Sequence, residues 1–299
     1  MTEEKQRKEV REGYAKIAMN KSSCCGSSTS YEDSKKMGYS EEDLKTAPEG
    51  ANMGLGCGNP IALTSLTEGE IVVDLGSGGG FDCFLAAKKV GQKGMVIGVD
   101  MTPTMIDNAR ENARKGRYTN VEFRLGEIEN LPVADNTADV VISNCVINLT
   151  PDKKRVFQEA FRVLKPGGRL MVSDIVLLKE LSETTKKGMS STSCVAGAIR
   201  KDKYVETINA VGFKNVRIIQ EKPYHSEDFG TDPDAEVLTF NSKTNTTETK
   251  KVSELDEKAK QRMKEIMEAT LSINVSADKP QDVARAIPIN PKSLLRKRT

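Results

Sequence analysis

The chain has 299 residues, 45 of them lysine or arginine and 43 aspartate or glutamate. A net charge of +2 offers no electrostatic footprint for nucleic acid or an anionic membrane, and no apolar run is long enough to span a bilayer. With one histidine, His225, no tryptophan and six cysteines, chemistry that needs a histidine base or a multi-histidine metal site has almost nothing to use.

Residues 4–18 read as a helix with Val10, Tyr14 and Ile17 on one face. The charged start Met1-Thr2-Glu3-Glu4-Lys5-Gln6-Arg7 lacks the apolar core of a secretion signal. A cytoplasmic location is therefore expected, where thiols stay reduced and a disulfide framework is the wrong reading of six cysteines. A Ser/Gly/Cys loop over 21–30 holds Cys24-Cys25, and a polar arm follows to Pro48. Gly54-Leu55-Gly56-Cys57-Gly58-Asn59-Pro60 is a glycine-rich turn, neither helix nor regular strand.

From Glu70 strands and helices alternate. The spacing predicts strands over 71–75, 95–99, 121–124, 140–143 and 169–176. Between them it predicts helices over 81–90, 103–113 and 153–164. Pro103 sits at the favoured first helical position behind Thr102, with Met105, Ile106, Ala109 and Ala113 inward. Val156, Phe157, Ala160, Phe161 and Leu164 form the inner face of the third helix. This rhythm implies a parallel sheet with helices on both faces.

After Leu178 the rhythm changes. A Ser/Thr/Gly segment carries Cys194, then a helix over 201–211 and strands over 216–220 and 236–240 are expected. Residues 241–250 read as a polar linker. Residues 253–271 read as an amphipathic helix with Leu255, Ala259, Met263, Ile266, Met267 and Leu271 in one stripe, expected to pack on the core. A basic end, 292–299, follows. The boundaries are 1–66 for the N-terminal helix and cysteine-bearing arm, 67–178 for a cofactor-binding core, and 179–245 for a region completing the sheet and the substrate site. Residues 246–299 form a linker, helix and tail that the pattern leaves without a role.

The loop after the first strand reads Asp74-Leu75-Gly76-Ser77-Gly78-Gly79-Gly80. A dinucleotide fingerprint would place its third glycine at position 81, which is Phe81. The spacing, with an acid two residues before the first glycine, resembles the first motif of S-adenosylmethionine (SAM) dependent methyltransferases. The resemblance implies that Gly76, Ser77, Gly78 and Gly80 let the backbone approach the cofactor, and that Asp74 orients this loop or the methionyl ammonium. It places Asp100 on the ribose hydroxyls with Met101 beside it, Glu127 on the adenine amino group, Ile128 against the ring and Asn144 beside the methionyl part. It also implies an α/β, Rossmann-like class I methyltransferase. The expected sheet is mostly parallel and seven-stranded, with helices on both faces, an N-terminal arm and a small C-terminal α+β region.

Among the cysteines, Cys83 follows the glycine loop between Asp82 and Phe84, and reads as a small core hydrophobe. Cys57, Cys145 and Cys194 each lie in or beside a loop. Three thiolates from distant segments suit a soft, three-coordinate centre. Zinc generally takes four ligands, which leaves a zinc site open only with Cys24 or Cys25 as the fourth.

Four segments together resemble the arsenite methyltransferases. They are Asn52-Met53-Gly54-Leu55-Gly56-Cys57-Gly58-Asn59-Pro60, the glycine loop, Ser143-Asn144-Cys145-Val146-Ile147-Asn148-Leu149 and Cys194-Val195-Ala196-Gly197-Ala198. Tyr14-Ala15-Lys16-Ile17-Ala18, followed by Cys24-Cys25-Gly26, is similar to microbial members. The resemblance implies As(III) held by Cys57, Cys145 and Cys194, with Cys24 or Cys25 as redox partner. It also implies SAM as methyl donor, arsenite or its thiol adducts as substrate, glutathione or thioredoxin as reductant, and a monomer free of nucleic acid and membrane. Two other functions share features with this chain. One is methylation of a carbon or oxygen nucleophile on a quinone- or sterol-like molecule, and the other is non-catalytic metalloid binding by thiols.

Overall fold

The computed structural model describes residues 2–20, 34–35, 38–56, 58, 66–190, 192–223, 236–241 and 246–281. Cys24, Cys25 and Cys57 lie outside them, as does the basic end. Helix α1 (Glu3–Asn20) and the short α2 (Glu41–Thr46) precede the sheet. Strands β1 (Ile71–Leu75), β2 (Met95–Asp100), β3 (Val121–Leu125), β4 (Ala138–Asn144) and β5 (Leu164–Leu177) follow, interleaved with α3 (Phe81–Val90), α4 (Pro103–Gly116) and α5 (Lys153–Val163). Beyond β5 come α6 (Glu183–Lys187), α7 (Lys201–Val211), β6 (Lys214–Pro223), β7 (Glu236–Asn241), β8 (Thr246–Lys251), α8 (Glu257–Ala269) and β9 (Thr270–Asp278).

The main sheet has seven strands in the order β3-β2-β1-β4-β5-β9-β6. Pairings among β1 to β5 are parallel, and β9 runs antiparallel to both β5 and β6. Each central strand is covered on both sides, which is why its sequence reads as a continuous apolar run. Val72, Val140 and Ile142 pack with Phe84 and Ile106 on one face, and Val73, Leu75 and Val141 pack with Val156, Phe157 and Tyr204 on the other. Strand order reverses between β1 and β4, and a crevice opens there beyond the carboxyl ends of the strands.

The expected elements from 71 to 220 are present within a few residues, except that β5 begins at Leu164 rather than near Arg169. The C-terminal region departs from expectation. Residues 241–250 contribute to a separate antiparallel hairpin, β7–β8. Residues 179–245 supply only β6 to the main sheet, and the strand beside β5 comes from the span read as a tail. In Thr270-Leu271-Ser272-Ile273-Asn274-Val275-Ser276-Ala277, the residues Ile273, Val275 and Ala277 are buried in the core. Their two-residue alternation was obscured because Leu271 also continues the helical stripe of α8. That stripe packs on the chain itself: Ala259 and Met263 against Val252 and Leu255, and Ile266 and Ala269 against Cys145 and Leu181.

Lys279 locks the inserted strand. It is 5% exposed, and its Nζ donates to the carbonyls of Phe161 (2.7 Å) and Leu164 (2.6 Å) at the end of α5 and to Asn136 Oδ1 (2.9 Å). The ammonium satisfies carbonyls that a helix C-terminus leaves without partners. Replacing Lys279 with Met is expected to cost about 2–3 kcal/mol, because charged hydrogen bonds are lost and buried carbonyls stranded. Denaturant unfolding of the variant measures this.

Candidate active site

A cavity occupies the crevice. Its floor is the turn after β1, where Gly76, Ser77 and Gly78 join the cavity wall together with Asp74 and Asp82. Asp100, Met101 and Thr102 come from the end of β2, Ile128 and Glu129 from the loop after β3, and Asn144 and Cys145 from the end of β4. The N-terminal segment closes the cavity with Arg7, Val10 and Tyr14 of α1, with Tyr39, and with residues 51–56.

Gly76 and Gly78 have φ of 73° and 52°, a region open to glycine at little cost. A Cβ on Gly76 would strike Val146, whereas one on Gly78 would meet nothing within 4 Å. The backbone of Gly78 therefore faces open space, as a cofactor cradle requires. Its amide donates to Asp100 Oδ2 (3.0 Å) and that of Thr102 to Asp100 Oδ1 (2.8 Å). Burial raises the Asp100 carboxyl, and these two amides pull it partly back. Ser77 Oγ is buried without a hydrogen-bond partner among the described residues. A buried hydroxyl left in this state marks a site built for a ligand atom.

Asp74 and Asp82 are 3% and 8% exposed. Among the described residues, neither forms an ion pair. Cys83 Sγ donates to Asp74 Oδ2 (3.2 Å), and Tyr39 donates its hydroxyl to Asp82 Oδ1 (2.6 Å). Burial raises both carboxyls, and for Asp74 the charge of Asp82 raises it further; the pair titrates between about 6 and about 8. Two desolvated acids in one cavity ask for a cation. The ammonium and sulfonium of SAM fit that demand, and the Gly78 cradle and the free Ser77 hydroxyl fit its uncharged parts.

Asn144 ties the crevice together. Its Nδ2 lies 2.8 Å from the Gly58 carbonyl, 2.9 Å from Tyr39 Oη and 3.1 Å from Asp82 Oδ2. A Cβ on Gly56 would collide with the Asn144 side chain, and one on Gly58 with Ser173 Oγ. The glycines flanking position 57 are thus seated on the carboxyl ends of β4 and β5, where no larger residue fits.

Cys145, 4% exposed, has φ of 60°, a left-handed conformation that costs a non-glycine residue about 1 kcal/mol or more. Its amide donates to the Ser173 carbonyl (2.8 Å). Cys145 is disulfide-bonded, and its partner lies outside the described residues. Cys194 is not in a disulfide, and its Sγ donates to the Cys145 carbonyl (3.1 Å). The structure thus brings together Cys145, Cys194, Asp74, Gly76, Ser77, Gly78, Asp100, Met101, Ile128 and Asn144.

Gly80 does not line the cavity. It caps α3 with φ of 92°, where a Cβ would strike Phe84 and Phe123. Glu127 also lies outside the lining. It is ion-paired with Arg7 at 3.7 Å, while the buried Glu129 reaches the cavity and holds Arg7 at 3.1 Å. Cys83 is fully buried, as expected, but also serves as a hydrogen-bond donor to Asp74. The sequence reading missed Arg7, Tyr39, Asp82 and Glu129. Only the position of Asp82, on the first turn of the helix behind the glycine loop, could have signalled its role.

A family model of the methyltransferase domain matches residues 66–221. The chain belongs to this methyltransferase domain family. The methyltransferase is 47% identical over 248 residues to the arsenite methyltransferase of Halobacterium salinarum, covering 78% of this chain and 63% of that protein. It is 38% identical over 184 residues to the arsenite methyltransferase of Aquipseudomonas alcaligenes, covering 59% of this chain and 53% of the relative. The chain therefore spans less than two thirds of the length of these curated relatives. The crystal structure of CrArsM, an arsenic (III) S-adenosylmethionine methyltransferase from Chlamydomonas reinhardtii, matches with a TM-score of 0.58 at 29% identity. That match covers 85% of this chain and 75% of the other. The methyltransferase has the class I, SAM-dependent fold.

The two raised carboxyls set a pH dependence. Their folded values exceed those of an unfolded chain, so the ligand-free fold binds more protons than the unfolded state, and its stability falls as pH rises from about 4 toward about 8. A cation entering the cavity favours the carboxylates, so binding must displace protons. SAM affinity is expected to rise with pH between about 6 and about 8, by at most about tenfold per unit for each proton released. Calorimetric titration in buffers of different ionisation enthalpy counts those protons, and Asp74→Asn should flatten the profile.

Proposed function

We propose that this protein methylates trivalent arsenic, using SAM as donor and Cys57, Cys145 and Cys194 as the arsenic ligands. The observation that carries the reading is the meeting of Cys194 with Cys145, which lines the crevice: Cys194 Sγ lies 3.1 Å from the Cys145 carbonyl. The similarity to proteins named arsenite methyltransferases supports it. Gly56 and Gly58, packed against Asn144 and Ser173, bracket position 57 over the same strand ends.

Bound SAM supplies an electrophilic methyl on a sulfonium. Asp100 would accept hydrogen bonds from the ribose hydroxyls, Ile128 would pack on the adenine, and Asp74 and Asp82 would balance the methionyl ammonium. Arsenic held by three sulfurs is pyramidal and keeps a lone pair, and that pair attacks the methyl carbon. No proton has to leave the nucleophile, which suits a chain with one histidine. Catalysis then rests on orientation: the thiolates hold arsenic on the open side of the sulfonium. Cys145 must be released from its disulfide before it can ligate arsenic, and glutathione or thioredoxin serves as the reductant. Transfer would break the methyl–sulfonium bond, release S-adenosylhomocysteine and leave arsenic formally pentavalent; two electrons from the same reductant would return it to As(III) on two sulfurs and free one thiol. The protein acts in the cytoplasm as a monomer.

Chromatographic identification of arsenic species formed from arsenite, SAM and a thiol tests the activity. Cys57→Ser, Cys145→Ser and Cys194→Ser are each expected to lower arsenite methylation by at least about 100-fold, the scale of losing a positioning ligand, with SAM binding retained. Full activity in Cys145→Ser would sink the assignment. Cys83→Ser should leave arsenite affinity unchanged, because its thiol contacts Asp74 rather than the rim.

A further inference from the structure

Asn148, three residues after Cys145, has no part in binding either SAM or arsenic in the mechanism above. It is 1% exposed. Its Nδ2 donates to Asp174 Oδ1 (2.8 Å) and to the Ile175 carbonyl (2.6 Å). Both partners are acceptors, so the amide can be oriented only one way. Asp174, also 1% exposed, accepts from the Ile175 amide (2.9 Å) and from the hydroxyl of the fully buried Tyr204 (3.1 Å). The Tyr204 ring is fixed edge-on against Phe157 of α5, 5.5 Å between centroids.

On its backbone side, Asn148 meets the segment that carries Cys194. A Cβ on Gly197 would sit 1.8 Å from the Asn148 carbonyl oxygen. No side chain fits between them, so Gly197 lies directly on Asn148. One residue therefore touches both thiol-bearing segments. Its carbonyl seats the turn after Cys194, while its amide bolts the turn after Cys145 to β5 and, through Asp174 and Tyr204, to α7.

We propose that Asn148 is a positioning residue that, with Gly197 seated on it, sets the separation of Cys145 and Cys194. The proposal rests on the reading of these two cysteines as arsenic ligands. Arsenic–sulfur chelation needs two sulfurs at one fixed distance. A displaced Cys194 segment loses the second bond while leaving in place the Gly78 and Asp100 contacts of the cofactor loop, which touch neither Asn148 nor Gly197.

The test uses the full chain, reduced with a phosphine, and phenylarsine oxide, which needs only two thiols. Two S–H bonds and the arsenic–oxygen linkage break, two As–S bonds form and one water leaves, with no change in oxidation state. Wild type should bind one equivalent and protect Cys145 and Cys194 together from alkylation, read by peptide mass spectrometry. Gly197→Ala, which adds one methyl group and deletes no polar atom, should weaken that binding by about tenfold or more, with SAM affinity held within about twofold. Asn148→Asp, which sets a carboxylate against Asp174, should do the same, and Tyr204→Phe should give a smaller loss of about threefold. Should Asn148→Asp fail to fold, the other two variants decide. Unchanged phenylarsine oxide affinity in a folded Gly197→Ala protein overturns the proposal, as does a parallel loss of SAM affinity, which marks a merely structural role. No binding by wild type overturns the arsenic-site reading on which the proposal rests.

Discussion

The structure hinges on the contact between Asn144 and Asp82. One amide at the carboxyl end of β4 meets a carboxylate from the helix behind the glycine loop, a tyrosine from the N-terminal arm and the carbonyl of Gly58. An Nδ2 has only two hydrogens to share among three acceptors, so the geometry holds only while all four segments keep their places. The helix behind the glycine loop and the segment of Gly56 and Gly58 are thereby fixed to the same strand end. A methyl donor and a nucleophile must be held within a few tenths of an ångström and about 10–20° of a productive line. A junction of this kind supplies that precision through backbone and short side chains rather than through long, mobile ones.

The same junction has a cost. Asp74, Asp82 and Asp174 are removed from water and Asp100 partly so, with burial as the first cause of each raised carboxyl. Desolvated acids oppose folding unless a partner or proton compensates. Asp100 receives two backbone amides, and Asp174 receives an amide, a phenol and the field of Lys153. Asp74 and Asp82 have only neutral donors, so theirs is the unbalanced charge. The ligand-free protein thus carries its electrostatic deficit in the crevice, and a cation bound there would stabilise the fold by mass action. The left-handed backbone at Cys145 adds a second small store of strain to the same rim.

Much of this arrangement was legible in the sequence, and the reasons are local. Apolar runs of strand length, the Thr102-Pro103 start and the glycine loop all express constraints that act within a few residues. The cofactor residues on strand ends were legible for the same reason. Asp82, Tyr39 and Glu129 were not, because their roles depend on which distant segments arrive beside them. Glu127 and Glu129 show the limit: both are acids two residues apart, both pair with Arg7 of α1, and only Glu129 reaches the cavity. β9 was hidden by an overlap of periods. Leu271 satisfies the helical stripe of α8 and the alternation of the strand, and a sequence window cannot assign it to both.

β9 also carries a consequence for the order of assembly. A chain emerging from the ribosome completes β1 to β5, with Cys83 and Cys145 in place, well before β9 exists to separate β5 from β6. Until then β5 presents an open edge, and edge strands invite wrong partners. Closing the sheet brings Ile175 and Leu177 of β5 together with Ala269, so the packing around Cys145 is completed only after α8 and β9 have been made. Pairings that span so much chain form slowly. On the arsenite reading, the substrate also binds the thiols of unfinished chains, and any ligand that prefers the unfolded state works against folding. Under arsenic exposure, new copies of the protein would then race their own substrate to the native state.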